Sequence, residues 1–276
     1  MARDLFGKGV LSRICFAILV VFVLSACLAP LVSPRDPNAQ DLANTFRPAS
    51  AGHLLGTDHL GRDLLSRMIY GSRISLYASV LAGLLAAALG ILLGLVAGYF
   101  GRGIGQVIMR LTDAMLSIPS IIFTLVLAAV MGGGLKAIVI SIGIGMIPTY
   151  IRMMNGLVLG LRENDFVTAA TLQGQGSPTI LFRHVLPNCY PSLIVLFTIN
   201  LGAGIMLEAS LSFLGVGVTP PTASWGGMVA DGYKYLTTSP MISILPGICI
   251  ILVVVAFNIV GDRLRDALDP RLKGRR

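Results

Sequence analysis

Six long apolar segments limit what this chain can fold into. Each is close to the roughly 20 residues that an α-helix needs to cross the ~30 Å hydrocarbon layer of a membrane. They lie at 14–33, 76–100, 114–133, 137–160, 192–214 and 241–260. Only 12% of the 276 residues are charged and the mean hydropathy is +0.82, whereas soluble domains carry about 25% charged residues. The sequence therefore predicts an all-α polytopic membrane protein with six transmembrane helices.

The basic residues indicate how these helices are oriented. Cytoplasmic loops of membrane proteins are enriched in lysine and arginine. Of the 21 such residues, 14 fall on one side of the predicted helices. That side, taken as cytoplasmic, comprises 1–13, 101–113, 161–191 and 261–276, with Arg152 at the inner end of its helix. Both termini are thus predicted to be cytoplasmic.

The same orientation places two loops on the outer side. They are 34–75 and 215–240, and the segment 76–260 forms the transmembrane core with five of the six helices. The net charge of +8 does not indicate a nucleic-acid partner, because no basic surface with interleaved aromatic residues is present. The predicted environment is the lipid bilayer.

The N-terminal segment allows two interpretations. It resembles a signal peptide, and LSAC, which ends at Cys27, is similar to a lipoprotein cleavage site. Five further apolar segments follow, which favours an uncleaved first helix. The four cysteines form no C-x-x-C pair, so we expect reduced, buried thiols and no disulfide framework.

Catalytic and cofactor-binding motifs are absent from the sequence. There is no G-x-x-x-x-G-K-[ST] phosphate loop, no H-E-x-x-H zinc helix and no G-x-S-x-G nucleophile motif. His53 and His59 lie six residues apart in the outer loop, and histidines of this kind more often contact protein groups than a metal. We therefore expect no enzyme activity, no cofactor and no metal site. If transport requires an energy source such as ATP, another protein binds and hydrolyses it.

Few charged residues interrupt the apolar segments, and Glu208 is the main one. An acidic residue inside a membrane is a functional candidate, because its exposure to lipid is costly. Two roles stay open: bonding to neighbouring groups, or a place on a translocation pathway. An ion-coupled secondary transporter would prefer charged midplane sites, and the near absence of such charge argues against it. A membrane-embedded enzyme would need a metal or nucleophile cluster.

Small residues recur every four positions in the second apolar segment. They are Ala82, Ala86, Gly90, Gly94 and Gly98. Such a row lets another helix approach closely, which is how membrane helices commonly pack. The partner helix belongs either to this chain or to a neighbouring subunit.

A small-residue-rich segment at 165–188, DFVTAATLQGQGSPTILFRHVLPN, interrupts the apolar pattern. Residues 163–172 predict a short helix with acidic residues near its positive N-terminal end. Gly174 and Gly176 allow a turn. Ser177 as N-cap, followed by a proline, then predicts a second helix that runs to Pro187.

Ala169 and Ala170 make one surface of the first short helix flat, so that a partner can come close. From the residues alone two functions remain open for this segment. Either another protein binds the segment and displaces it, or the segment lies on the surface of the bilayer.

This segment resembles the E-A-A–x-x-x–G loop of ATP-binding-cassette importer permeases, which ends in I-x-x-x-H-x-L-P. The matching residues are Ala169, Ala170, Gly174, Ile180, His184, Leu186 and Pro187. Thr168 stands where the family has Glu, and Gln175-Gly176 stand where it has Ala-Ser. The resemblance implies that the loop, including Ser177, docks on an ATPase subunit as a coupling helix. The absent carboxylate affects one polar contact with that subunit.

Three further stretches resemble the dipeptide/oligopeptide/nickel branch of these permeases, and within it the second, C-type subunit. They are HLLGTDHLGRDLLSRMIYGSRISL at 53–76, EASLSFLGVGVTPPTASWG at 208–226 and FNIVGDRLRDALDPRLK at 257–273. The resemblance implies a subunit of an ATP-driven importer in a bacterial or archaeal plasma membrane. Its cargo would be peptides or related solutes, or alternatively nickel or a nickel chelate.

The resemblance also implies the partners. They are a homologous second permease, two cytoplasmic ATP-binding subunits and an extracytoplasmic substrate-binding protein. The solute path would lie between the two permeases. We expect Asn200, Met206 and Glu208 to contribute to its lining, together with the outer PPTASWG loop.

Overall fold

The computed structural model describes residues 10–268, and long helices account for most of them. The helices are α1 Val10–Cys27, α2 Leu64–Phe100, α3 Ile104–Leu116, α4 Ser120–Val130, α5 Gly134–Leu161, α6 Asp165–Leu172, α7 Leu186–Phe213, α8 Trp225–Tyr233 and α9 Met241–Leu268. Shorter helical turns lie at Ala29–Val32, Leu42–Asn44 and Ser177–Thr179, and a π-helical turn at Ile180–Val185. The two ends of the chain, 1–9 and 269–276, lie outside the described residues; both belong to the segments predicted to be cytoplasmic.

Five of the described helices are long and apolar enough to cross a membrane: α1, α2, α5, α9 and the continuous helix from Ser177 to Phe213. The bent pair α3–α4 makes a sixth if it is taken as one span. The prediction of an all-α polytopic membrane protein is therefore confirmed.

The third predicted span differs most from the prediction. In place of one helix over 114–133, α3 and α4 meet at an angle of 91°. Pro119 explains the break, because proline lacks a backbone N–H and disfavours helical backbone at the residue before it. Most of 101–113, which we expected to be a loop, belongs to α3.

α2 begins at Leu64, well before the predicted start at residue 76. The Asp63 side chain caps it by accepting a hydrogen bond from the backbone N–H of Ser66 at 2.8 Å. Arg67 and Ser72 in the first turns are buried by the chain itself. Because these turns are polar, hydropathy does not reveal them as part of the helix.

The row of small residues on α2 packs against α5 of the same chain. A Cβ atom built on Gly90 would lie 2.4 Å from the Cβ of Tyr150, and one built on Gly94 would lie 2.6 Å from the Cβ of Met154. Real Cβ atoms do not approach so closely, so only glycine allows the two helices to lie at this distance. The row therefore serves packing within the chain, which was one of the two alternatives.

α1 is also part of the core. Cys15 and Leu19 are buried together with Val253 and Phe257 of α9. Phe22 contacts the fully buried indole of Trp225 edge-on, with ring centroids 5.2 Å apart. This packing favours the interpretation of the first apolar segment as an uncleaved helix.

Candidate functional site

Residues 165–188, which we call the elbow, fold as α6, a turn and the start of a long helix. The turn lies at Gly174, whose φ of +78° is in the left-handed region that favours glycine. Gly176 is the N-cap of the following helix, and no side chain caps this end. The predicted capping role of Ser177 is therefore wrong.

The helix that we expected to end at Pro187 continues to Phe213. A proline inside an α-helix clashes with the carbonyl group four residues earlier. Here the π-helical turn Ile180–Val185 ends two residues before Pro187 and contains Arg183, the residue four positions before the proline. Its wider backbone gives the proline ring room, so the helix passes through the position at which proline would otherwise end it.

One face of the elbow is built into the membrane helices. Val167 and Ala170 are each 4% exposed. They belong to one apolar cluster with Leu95 of α2 and with Met154 and Val158 of α5. The cluster also includes Ile180 and Val185 from the second half of the elbow. Close-packed side chains transmit displacement, so this shared cluster joins the elbow mechanically to α2 and α5.

This arrangement corrects the role predicted for Ala170. We expected its small side chain to form a flat surface for a partner protein. Instead it lies on the inner face of α6, where it allows the elbow to approach its own helices.

The opposite face of α6 is uncovered in this chain. Thr168 and Ala169 are exposed, and the Leu172 side chain is 83% exposed. His184 Nε2 lies 2.7 Å from Gln175 Oε1, which holds the turn against the following helix. Of the other predicted coupling residues, Gly174 and Pro187 are exposed, Ser177, His184 and Leu186 are half-buried, and Ile180 is buried.

Glu208 is fully buried and held by hydroxyl groups. Ser75 of α2 donates a hydrogen bond of 2.8 Å to one carboxylate oxygen, and Ser212 donates one of 2.8 Å to the other. The Ser75 hydroxyl oxygen also accepts the backbone N–H of Trp225 at 3.3 Å. The carboxylate thus ties α7 to α2 and α8, which favours the first of its two open roles, bonding to neighbouring groups.

The other two residues expected on the pathway lie on different sides of α7. Met206 is 47% exposed. The amide nitrogen of Asn200 is buried and has no hydrogen-bond partner within residues 10–268. Ser192 and Ile199 share the face of Met206, because the three are spaced by two helical turns.

Protein groups contact both outer-loop histidines. His53 Nδ1 lies 2.9 Å from Asp63 Oδ1, and His59 stacks on Tyr235 with ring centroids 5.1 Å apart. Burial lowers the pKa of His59, although the charge of Asp58 opposes this shift. In the part of the chain that the structure describes, no group of three His, Cys, Asp or Glu side chains could hold a metal ion.

The sequence analysis did not find a buried ionic cluster at the start of α2. Asp58 Oδ2 accepts a hydrogen bond of 2.7 Å from Arg62 Nε and lies 3.5 Å from Arg67 Nε. Arg67 also donates to the backbone carbonyl of Pro37 at 3.1 Å. The spacing of Asp58 and Arg62 was the available signal, since the pair lies four residues apart within the 53–76 stretch.

Family models match most of the chain. One described as a binding-protein-dependent transport system inner membrane component matches residues 90–274. Another, described as the N-terminal TM domain of oligopeptide transport permease C, matches residues 6–49.

Curated proteins are similar over nearly the whole length. The chain is 43% identical over 273 residues to the di/tripeptide transport system permease protein DppC of Pseudomonas aeruginosa (strain UCBPP-PA14). The match covers 97% of this chain and 89% of that protein. The chain is 40% identical over 260 residues to the glutathione transport system permease protein GsiD of Escherichia coli O6:K15:H31 (strain 536 / UPEC), over 94% and 85% of the two chains. Among solved structures, an inward-facing MetNI methionine ABC transporter has a TM-score of 0.62 at 18% identity, over 75% of this chain and 98% of that chain. At that identity the likeness concerns the fold alone.

Proposed function

Since this chain belongs to the family of binding-protein-dependent transport system inner membrane components, the permeases of ATP-binding-cassette importers, we propose that it is the C-type permease subunit of a peptide importer. The relatives support peptides as the cargo, because those named above are described as di/tripeptide and glutathione permeases. Neither is described as a nickel permease, so the alternative cargo, nickel or a nickel chelate, has less support than peptides.

The contact between the elbow and the helices α2 and α5 carries the mechanistic part of the proposal. A cytoplasmic ATPase binds the uncovered face of α6, which includes Thr168, Ala169 and Leu172. When two ATPases close on ATP, they displace the elbow. The buried cluster around Ala170 passes that displacement to α2 and α5.

The proposal includes the remaining partners, which membership of this family supports. A homologous permease completes the path, so that the cavity between the two subunits opens alternately to either side of the membrane. An extracytoplasmic binding protein delivers the solute to the outer end. ATP is hydrolysed by the partner subunits and not by this chain.

Reconstitution tests the proposal. We expect the chain purified alone to hydrolyse no ATP, and the assembled complex in vesicles to take up dialanine only with ATP and binding protein present. A complex carrying an inactivating substitution in the ATPase phosphate loop is the control for contaminating ATPases. Uptake driven by an ion gradient without ATPase subunits would instead support a secondary transporter.

The orientation is a separate prediction. A cysteine at Gln40, which is exposed in the loop before α2, should react with a membrane-impermeant thiol reagent added outside intact cells. A cysteine at Gln173, which is exposed on the elbow, should react only after permeabilisation. Cys27 is the exposed native thiol and is replaced by serine in both variants. The opposite labelling pattern would place the elbow outside the cell, where it could not meet an ATPase.

A further inference from the structure

A cavity of about 470 Å³ lies between α5, α7 and α9, at the end of the helices that carries the elbow. Asn188, Ser192 and Arg265 give it polar groups, and Met153 and Leu196 are among its apolar walls. This volume is in the range of about 300–1,000 Å³ that small-molecule sites occupy. It is therefore large enough for a small solute.

The cavity is connected to the elbow, because Asn188, the last residue of the elbow, lines it. The side-chain amide of Asn188 donates a hydrogen bond of 2.7 Å to the backbone carbonyl of His184. This bond uses one of the two N–H groups of the Asn188 side chain, and the amide oxygen remains as an acceptor. A displacement of the elbow therefore moves one wall of the cavity.

A neighbouring ion pair lies at the same end of the helices and does not face the hydrocarbon of the membrane. Arg152 directly precedes Met153 on α5, and its guanidinium lies 2.7 Å from Asp113 of α3. Both side chains are more than half exposed within the chain, at 57% and 56%. Exposed charges in membrane helices are costly in lipid and are found facing water-filled cavities or other protein.

Arg265 lines this cavity and forms no ion pair with another residue of 10–268. Arg152 is paired with Asp113, and Arg263 lies 3.8 Å from Asp266. No acidic side chain within residues 10–268 pairs with Arg265. A guanidinium is always protonated and binds a carboxylate through two parallel N–H groups.

We propose that this cavity receives the transported solute and that Arg265 binds its carboxylate. The Asn188 amide oxygen accepts an N–H group of the solute, and the apolar walls contact its side chains. These three features together match a short peptide with a free carboxyl terminus. The choice of a peptide rests on the function proposed above.

The first test needs no transported substrate. In the assembled complex, Ser192→Cys is modified with methanethiosulfonates that carry either a sulfonate or a trimethylammonium group, each rate being divided by that of free cysteine. We expect the sulfonate to react about tenfold faster than the cation, because Arg265 attracts anions into the cavity. The preference should disappear in Arg265→Gln and persist in Arg263→Gln, which removes an arginine two residues away.

Two results of this first test would overturn the proposal. A thiol that is unreactive in every background would show that other protein fills the cavity. A preference for the sulfonate that survives Arg265→Gln would show that Arg265 does not set the charge of the site. The complex with serine at position 192 gives the background from the native thiols.

The second test measures uptake of dialanine and of its C-terminal amide with the same binding protein throughout. Arg265→Gln should lower dialanine uptake about tenfold and change uptake of the amide less than twofold, since only the free peptide carries the carboxylate. Arg265→Lys keeps the charge and should restore part of the uptake. An equal loss for both peptides would make Arg265 a structural residue and overturn the proposal. A wild-type complex that imports neither peptide would refute the peptide function, while the thiol test would still decide the nature of the cavity.

Discussion

Replacement of Leu172 by aspartate is expected to abolish most ATP-driven uptake while the chain still folds. Leu172 is 83% exposed at the end of α6, so its side chain contributes little to the packing of the chain itself. If an ATPase covers it, its burial contributes about 1.5–3 kcal/mol to that contact. An unpaired charge at the same place costs more. We therefore expect uptake to fall more than tenfold in vesicles that contain all subunits, measured together with ATP hydrolysis.

The control is a leucine of similar exposure elsewhere in the chain. Leu42 is 70% exposed in the loop before α2. Leu42→Asp should leave the amount of copurified ATPase unchanged, whereas Leu172→Asp should reduce it. Should the Leu172 variant bind its ATPase normally and keep the wild-type uptake per ATP, the elbow would not be the coupling element.

Substitutions at Gly174 test whether the backbone turn of the elbow is required, as distinct from its exposed side chains. A Cβ atom at this position would meet nothing within 4 Å, so within this chain a substitution acts mainly through the backbone. Its φ of +78° is accessible to asparagine at small cost and is strained for a β-branched residue. Gly174→Val should therefore impair uptake far more than Gly174→Asn does, and equal effects would mean that the turn is not required.

The sequence predicted the short first helix and the turn of the elbow because the signals for them are local. Its two glycines, its short first helix and the family pattern all lie within 24 residues, between Asp165 and Asn188. The direction in which α6 faces depends on tertiary packing instead. Ala169 and Ala170 are equally small, yet the first is exposed and the second is buried in the cluster that the elbow shares with α2 and α5. A sequence pattern alone did not distinguish them.

The role of Glu208 could not be read from the sequence for a similar reason. Its partner Ser75 lies 133 positions earlier, and only the packing of α2 against α7 brings the two together. The bend between α3 and α4 had a local signal in Pro119, but the surrounding apolar residues continue through it. Hydropathy therefore reported one span where the backbone turns by 91°.

Gly94→Leu is expected to prevent assembly of the complex, because α2 and α5 leave no room for a side chain between them. A Cβ atom on Gly94 would lie 2.6 Å from the Cβ of Met154 and 2.8 Å from the backbone oxygen of Ile151. Overpacking in a core typically costs about 1–3 kcal/mol. Here one of the opposing atoms is backbone, which cannot move without displacing α5, so we expect a cost of at least about 3 kcal/mol.

The same substitution at Gly156 is the control. Gly156 lies on α5, the helix that packs against the row of small residues on α2, but a Cβ atom there would meet nothing within 4 Å. Thermal unfolding and the yield of complex in detergent are the measurements. We expect Gly156→Leu to behave as the wild type in both, and Gly94→Leu to give little complex with a lowered midpoint. The loss should also extend to the elbow, because Leu95 and Met154 belong to the cluster that holds Ala170. If Gly94→Leu assembles and unfolds like the wild type, α2 and α5 do not pack along this row, and the proposed route from the elbow to the membrane helices fails with it.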